Sequence, residues 1–210
     1  MSKLISIEGA DGTGKTTQSL ALVNNLKQHK KDAILAREPG GTNIGEILRN
    51  ILKNEKNIEP ISELLLFQAA RTELIEKVIF PALNSNKIVV VDRYKDSTLA
   101  YQGFGRGIDM ELISLLNNIT TKNLEPDLTI LLDMPVKEAI FRTRQRQSEE
   151  KKHQQNIATN FEDENIDFHK RVSEGFKTLA KKSDKWIIVN GGLDITQISQ
   201  IIWEEVEKII

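Results

Sequence analysis

Short apolar runs alternate with longer stretches of mixed polarity along nearly the whole chain. The apolar runs predict five β-strands, at residues 4–7, 33–36, 88–91, 128–133 and 186–189. Between them, apolar residues recur at the i, i+3, i+4 and i+7 spacing of helices that bury one face. These helices are predicted at residues 16–28, 44–52, 60–79, 109–118, 135–147 and 162–182, and from residue 194 onward. Strands that alternate with helices in this way predict an α/β fold, with a five-stranded parallel sheet covered by helices on both faces.

Several local features sharpen this picture. Residues 88–91 are apolar throughout, as is typical of a central strand buried on both faces. The first helix should turn Leu20, Val23 and Leu26 toward the core. The segment after the third strand predicts a polar loop, because it contains the three glycines Gly103, Gly105 and Gly107. Since no repeat, linker or low-complexity tract interrupts the pattern, residues 1–210 are expected to form a single domain.

The composition is that of an ordinary globular protein. The chain has 210 residues, of which 39% are hydrophobic and 28% charged, and its formal net charge is −1. This balance gives no reason to expect a nucleic acid or a membrane surface as a partner, and no apolar run approaches the length of a membrane span. The absence of cysteine excludes disulfides, thiolate metal sites and cysteine nucleophiles. Because the first strand begins almost at once and leaves no room for a signal peptide, we expect a cytoplasmic protein.

The turn after the first strand carries a phosphate-binding motif. Residues 9–16 fit G-x-x-x-x-G-K-[ST], with an apolar strand before them and a predicted helix after them. Glycines let backbone N–H groups converge on a phosphate, to which the helix presents its positive end. The expected nucleotide-binding residues are Gly9, Ala10, Asp11, Gly12, Thr13, Gly14, Lys15, Thr16 and Thr17. Lys15 would reach the β- and γ-phosphates and the Thr16 hydroxyl would hold Mg²⁺, which predicts a P-loop NTPase fold.

Several classes of P-loop protein share this motif. A regulatory GTPase would need a guanine-reading N/T-K-x-D motif, but the nearest match, at residues 121–124, reads T-K-N-L and lacks the aspartate. Motors and large ATPases usually need a longer chain. A kinase of a small phosphorylated substrate remains.

Four stretches together resemble the thymidylate kinase family in its bacterial form. They read E-G-A-D-G-T-G-K-T-T-Q at 8–18, R-E-P-G-G-T at 37–42, L-L-F-Q-A-A-R at 65–71 and D-R-Y-K-D-S-T-L-A-Y-Q-G at 92–103. The resemblance covers essentially the whole chain in consistent order. It implies an enzyme that uses ATP and Mg²⁺ to phosphorylate dTMP to dTDP, in dTTP biosynthesis. It also implies a homodimer formed through helices packed across a two-fold axis.

The residues of these stretches suit a nucleotide as the phosphoryl acceptor. Phe67 and Arg71 lie four apart and so project from one face of a helix, and base recognition requires an aromatic face together with hydrogen-bond donors. By resemblance, Phe67 stacks on thymine, Arg71 and Gln102 bind its polar edge, and Tyr101 closes against the sugar. Asp11 is expected near the sugar hydroxyl or the metal. The further substrate-binding residues that the resemblance implies are Arg37, Glu38, Arg93, Ser97 and Thr98.

Phosphoryl transfer between two anions is expected to depend on positioning and on added positive charge. Arg37 and Arg93 would clamp the acceptor phosphate, because guanidinium groups suit phosphate oxygens. Asp92 ends the third strand, where P-loop proteins carry a magnesium-associated acid, so we expect it to bind Mg²⁺ or orient phosphates rather than act as a strong base. The expected catalytic residues are Lys15, Asp92, Arg93, Arg142 and Arg146, and the expected metal ligands are Thr16 and Asp92.

A cluster of three arginines resembles the arginine-bearing lid of the family, which is predicted here at about residues 142–160. On a helix, Arg142 and Arg146 share one face, whereas Arg144 points away from it. At most two of the three are therefore expected to reach the transferred phosphoryl group together, unless the helix unwinds there.

The chain departs from the family pattern just after this lid. Family members commonly carry D-R-[FI]-E there, but residues 159–162 read T-N-F-E, so that Asn160 replaces the arginine. Either the earlier arginines supply all the positive charge, or Lys151 and Lys152 substitute. Two alternatives to a dTMP kinase stay open at this point: a kinase of another nucleoside monophosphate, and a nucleotide-binding protein without catalytic activity.

Overall fold

The computed structural model describes residues 2–152 and 164–210, without the side chains of residues 149–152. Its centre is one parallel sheet with the strand order β2-β3-β1-β4-β5. The strands are β1 Lys3–Glu8, β2 Ala33–Arg37, β3 Ile88–Asp92, β4 Leu128–Asp133 and β5 Trp186–Asn190. The predicted α/β class with a five-stranded parallel sheet is confirmed.

Helices join successive strands on both sides of the sheet. They are α1 Lys15–Gln28, α2 Asn43–Asn54, α3 Pro60–Leu74, α4 Phe80–Asn84, α5 Lys95–Thr98, α6 Met110–Thr121, α7 Val136–Lys152, α8 Ile166–Ala180 and α9 Ile195–Glu207. Two π-helical segments, Ile75–Ile79 and Leu99–Gly105, continue α3 and α5. Side-chain caps start four of the described helices, α2, α6, α8 and α9. A side-chain oxygen of the preceding residue, Thr42, Asp109, Asn165 or Asp194, accepts a backbone N–H of the first turn.

Two apolar layers cover the sheet. On one face, Ile5, Val90 and Ile130 pack against α1 and α9. On the other face, Val89 and Val91 pack against the end of α3 and the helix that follows it. All of β3 is buried, as its apolar sequence predicts, because helices cover both faces of this central strand.

One predicted core position and one predicted loop are wrong. Leu20 is 48% exposed, and Leu22 takes the buried position beside Val23 and Leu26. The segment that contains Gly103 and Gly105 is helical. A Cβ atom on Gly105 would lie 2.6 Å from the Phe168 ring, so this glycine allows two helices to approach closely. A close approach between distant segments leaves no local signal, whereas glycine clusters are the usual signal of a loop.

The strand register brings the functional ends of three strands together. Asp92 at the end of β3 pairs with Ile7 of β1 on one side and with Arg37 of β2 on the other. In parallel α/β sheets, ligands bind at the carboxyl ends of the strands where the strand order reverses. Among the described residues, no helix is both long and apolar enough to cross a membrane.

Candidate active site

The phosphate loop connects β1 to α1 and leaves the start of the helix open to a ligand. Gly9 and Gly12 have φ of +143° and +84°, and Cβ atoms there would lie 2.5 Å from Leu132 O and 2.2 Å from Ala139 O. Only glycine satisfies both the backbone angle and the space at these positions. No side chain caps the first turn of α1, so its N–H groups can bind an anion.

Lys15 and Thr16 lie in the first turn of that helix. Lys15 is buried, and its Nζ donates to Ala10 O at 2.7 Å. Burial lowers the pKa of Lys15 to about 8, and the nearby charge of Arg93 acts in the same direction. The Thr16 hydroxyl donates to Asp92 Oδ2 at 2.5 Å, which unites the two predicted metal ligands.

This pair of oxygens fits the way in which Mg²⁺ is bound beside nucleotides. Magnesium takes one or two protein oxygens and completes its shell with phosphates and water. Within the described residues, no group of three or more His, Asp or Glu side chains is arranged to hold a metal. As a pair, the Thr16 and Asp92 oxygens suit a metal that is bound together with a nucleotide.

Arg93 lies at the centre of a network around the phosphate loop. Its Nη1 donates to Gly9 O at 3.1 Å and to Ser97 Oγ at 3.3 Å, while Nη2 donates to Asp11 Oδ1 at 2.5 Å and to the Tyr101 hydroxyl at 3.2 Å. Tyr101 in turn donates to Asp11 Oδ2 at 2.8 Å. Burial alone would raise the pKa of Asp11, but Arg93 holds it well below its usual range. The network therefore contains a permanent carboxylate and a permanent guanidinium.

Glu8 lies below this network and has no role among the sequence predictions. It is fully buried at the end of β1, where Oε1 accepts the Tyr94 N–H at 2.8 Å and Oε2 accepts the Ser97 hydroxyl at 2.6 Å. Burial and the charge of Asp96 raise the pKa of Glu8 to about 8. The signal that could have identified it is a carboxylate that ends an otherwise apolar strand next to a glycine-rich loop.

The second end of the site is built around Arg71. This side chain is only 1% exposed and forms an ion pair with Glu38 at 2.7 Å. Its remaining N–H groups donate to Gln68 Oε1, Asn117 Oδ1 and Thr98 Oγ1 at 3.1, 2.8 and 2.8 Å. Burial raises the pKa of Glu38, and the charge of Arg71 opposes that rise. A ligand that binds Arg71 must therefore share one of these N–H groups or use the Thr98 hydroxyl, which still has its own proton to donate.

Gln102 and Phe67 complete this end of the site. The Gln102 amide donates one N–H to Glu63 Oε1 at 2.9 Å, so its second N–H and its carbonyl oxygen can serve a ligand. Phe67 is half-buried, and its ring lines the same space as Arg71.

Two arginines border the site from α2 and from the strand before it. Arg37 is 44% exposed and forms an ion pair with Glu46 at 2.9 Å. Arg49, which the sequence analysis missed, donates to Pro39 O at 2.7 Å, and its pKa is lowered by burial and by Arg37. Arg49 lies three residues after Glu46, which is about one helical turn. Once α2 was predicted, this spacing could have indicated that Arg49 lies near Glu46.

The arginines of α7 follow the predicted helix faces. Arg142 and Arg146 line the site, and Arg142 Nη1 donates to Gly191 O at 2.9 Å. Arg144 instead borders a small separate cavity beside His169. The helix of this predicted lid extends to the edge of the described residues. Asn160 and the lysine side chains proposed to substitute for the missing arginine lie outside the described residues.

One cavity of about 480 Å³ connects the phosphate loop with Arg71 and Phe67. The predicted site residues that line it are Asp11, Gly12, Gly14, Lys15, Thr16, Thr17, Arg37, Glu38, Phe67, Arg71, Asp92, Arg93, Ser97, Thr98, Tyr101, Gln102, Arg142 and Arg146. The other predicted residues, Gly9, Ala10 and Thr13, form the backbone of the phosphate loop behind it, and Thr13 Oγ1 donates to Ala10 O. The cavity thus runs from the phosphate loop to the aromatic end of the site.

The sheet order, the phosphate loop and the open start of α1 define a protein with the P-loop NTPase fold. The family model of thymidylate kinase matches residues 7–202. The thymidylate kinase of Caldanaerobacter subterraneus is 39% identical over 98% of this chain and 95% of its own, and that of Kosmotoga olearia is 42% identical over 97% and 93%. The crystal structure of thymidylate kinase from Ehrlichia chaffeensis superposes with a TM-score of 0.79 at 32% identity, covering 98% of both chains. This chain belongs to the thymidylate kinase family, as its four motifs predict.

Proposed function

We propose that this protein transfers the γ-phosphoryl group of ATP to dTMP, giving ADP and dTDP, as a step in dTTP biosynthesis. The observation that carries the proposal is the single cavity that joins a phosphate loop to a base-sized aromatic end, with arginines between them. Its relatives of similar length and about 40% identity are thymidylate kinases.

At the donor end, the chain supplies positive charge and an ordered backbone. Loop N–H groups and the start of α1 hold the β- and γ-phosphates, and Lys15 exchanges its bond to Ala10 O for a phosphate oxygen. Arg142 and Arg146 approach the transferred group from α7, where they neutralise charge that develops in the transition state. Thr16 and Asp92 would hold Mg²⁺, which would neutralise negative charge on the phosphates of the bound nucleotide.

At the acceptor end, Arg93 holds the phosphate of dTMP, with Arg37 and Arg49 as additional cations at the rim. Phe67 stacks on the thymine ring, and the Arg71 and Gln102 groups bind its polar edge. The Tyr101 hydroxyl is fixed by Asp11 at 2.8 Å and by Arg93, so its ring forms a rigid wall beside the sugar. The attacking phosphate oxygen of dTMP is already ionised near neutral pH, so the chain needs to orient it rather than deprotonate it.

A homodimer and a cytoplasmic location belong to the same proposal. Three helices that pack side by side, α2, α3 and α6, carry a group of exposed apolar side chains. They are Ile44, Ile47, Ile51, Ile61, Leu65, Leu112, Leu115 and Ile119. A patch of this kind is typical of a protein interface, and the family resemblance favours a second copy of this chain as its occupant. Leu115→Glu should then convert a dimer into a monomer in light scattering, whereas Ile195→Glu, at an equally exposed position on α9, should leave it dimeric.

The decisive experiment is ADP production with Mg·ATP and a panel of monophosphates: dTMP, dUMP, dCMP, UMP, AMP and GMP. Turnover concentrated on dTMP supports the proposal, and Lys15→Met, which removes the cation at the phosphate loop, serves as the inactive control. Preference for another base would overturn the proposed substrate. Binding of dTMP and ATP without turnover would overturn the proposed activity.

A further inference from the structure

Two nitrogens of Arg71 are held by residues of the cavity and the third is held from outside it. Nε donates to Glu38 Oε2 at 2.8 Å. Nη2 lies 2.7 Å from the same oxygen in the ion pair and donates to Thr98 Oγ1 at 2.8 Å. Nη1 donates instead to Gln68 Oε1 and Asn117 Oδ1. Neither Gln68 nor Asn117 lines the cavity. The orientation of the guanidinium plane therefore depends on two amides that a ligand in this cavity would not touch.

The Asn117 amide can be oriented in only one way. Its Nδ2 donates to Lys95 O at 3.1 Å, so its Oδ1 must face the two donors on the other side, Arg71 Nη1 and Gln68 Nε2, both at 2.8 Å. Asn117 is 2% exposed, and every bond of its side chain is made to a group that is itself buried. Buried amide networks of this kind hold one geometry when every member is satisfied.

Gln68 extends the same network to a third contact. Its Oε1 accepts both Arg71 Nη1 and the Thr120 hydroxyl, the latter at 2.7 Å. The network thus joins α3, which carries Gln68 and Arg71, to α6, which carries Asn117 and Thr120. Through Lys95 O it also reaches the start of α5, the helix that carries Thr98. All three helices contribute to the base-binding end of the site or to its support.

We propose that Asn117 is a positioning residue for nucleobase recognition: it holds the guanidinium of Arg71 in the plane in which Nη2 and Thr98 meet the base. This inference rests on the proposed function, in which Arg71 binds the polar edge of thymine. Without an acceptor at position 117, Nη1 would keep only its hydrogen bond to Gln68 Oε1. The guanidinium group could then rotate about its hydrogen bond to the Glu38 carboxylate. A purely structural role for Asn117 would lower stability but would leave the affinity of the folded protein for dTMP unchanged.

The test compares variants that keep or remove the acceptor. Asn117→Leu has the same branched arrangement of four side-chain heavy atoms and no acceptor. Asn117→Asp keeps an oxygen for Arg71 and Gln68, but replaces the donor to Lys95 O with a second oxygen and adds a carboxyl group beside the Arg71 cation. We expect Asn117→Leu to weaken dTMP binding about tenfold, the equivalent of one lost hydrogen bond to a charged group. Asn117→Asp should bind dTMP within about threefold of the wild type, and both variants should bind ATP as the wild type does. Calorimetric titration of the full-length protein measures each affinity.

A matched control separates positioning from loss of stability. Thr121→Val, on the same helix, removes a buried hydroxyl that donates to the main-chain oxygen of Asn117 and does not touch Arg71. It should lower the melting temperature without a change in dTMP affinity. The inference is wrong if Asn117→Leu binds dTMP as Thr121→Val does, or if Asn117→Asp loses as much affinity as Asn117→Leu. If Asn117→Leu does not fold, Asn117→Ser, whose hydroxyl is too short to reach Arg71, takes its place. A wild-type protein that neither binds nor phosphorylates dTMP would refute the proposed function itself.

Discussion

Replacing Arg71 by methionine removes the cation of a buried ion pair and leaves its partner in place. Arg71 and Glu38 are 1% and 5% exposed in their side chains, so the Glu38 carboxylate cannot regain water when Arg71 is lost. Removal of one member of such a pair costs about 3–5 kcal/mol, a large part of the roughly 5–15 kcal/mol that stabilises a typical domain. Because burial already raises the pKa of Glu38, the stranded carboxyl would take up a proton, which limits the loss.

A second substitution separates this structural effect from substrate recognition. In the double variant Arg71→Met with Glu38→Gln, no charge remains to be buried, and replacing a whole buried pair by neutral groups is often close to neutral. We therefore expect urea unfolding to give the double variant a stability within about 1–2 kcal/mol of the wild type. The proposed hydrogen bond from Arg71 to the base is still missing, and a bond from a charged donor contributes about 1.5–3 kcal/mol. The KM for dTMP should thus remain about 10- to 150-fold above the wild-type value in both variants.

Urea unfolding and a coupled ADP assay with dTMP as the varied substrate provide the two measurements. Glu38→Gln alone reports how much the carboxylate itself contributes to dTMP binding, and the KM for ATP reports whether the phosphate loop is intact. If the double variant recovers the wild-type KM for dTMP together with its stability, Arg71 is not a base-binding residue. If the double variant stays as unstable as Arg71→Met, the stranded charge is not the source of the instability.

Three further predictions concern other parts of the site. Burial raises the pKa of Glu8 from 4.5 to about 8, so between these values the folded protein keeps a proton that the unfolded chain has released, and stability falls as pH rises. Glu8→Gln has no group that titrates at this position. In unfolding experiments at several pH values in this window, the free energy of unfolding of the variant should therefore rise relative to that of the wild type as pH rises. A difference between the two that does not change with pH would contradict this. Phe67→Leu keeps apolar contact but loses base stacking, which contributes roughly 1–3 kcal/mol per base, so it should raise the KM for dTMP about 5- to 150-fold; an unchanged KM in the ADP assay would exclude stacking. Arg142→Ala should lower kcat at least about tenfold with an unchanged calorimetric Kd for dTMP, and a loss confined to dTMP binding would assign Arg142 to the acceptor instead.

The local pattern of apolar and polar residues was enough to predict the sheet, because each strand is a short apolar run and successive strands are connected by helices. It failed where distant segments decide the outcome. Gly105 belongs to a glycine-rich stretch that looks like a loop, but it lies in a helix whose contact with the Phe168 ring leaves no room for a Cβ atom. Leu20 fits the apolar spacing of α1 as well as Leu22 does, and only the packing of the helix on the sheet selects Leu22 for the core.

The site likewise contains residues that the local sequence predicts and residues whose contacts depend on distant segments. Lys15 and Thr16 could be identified from the chain alone, because a phosphate loop is a continuous segment whose chemistry depends on local spacing. The pairing of Arg71 with Glu38 joins residues 33 positions apart, and the support from Asn117 comes from 46 positions away. Such pairs form only after β2, α3 and α6 have packed, so no spacing rule contains them. A motif can therefore indicate that an arginine belongs to the site, while the residues that fix its geometry, and so its selectivity, emerge only from the tertiary structure.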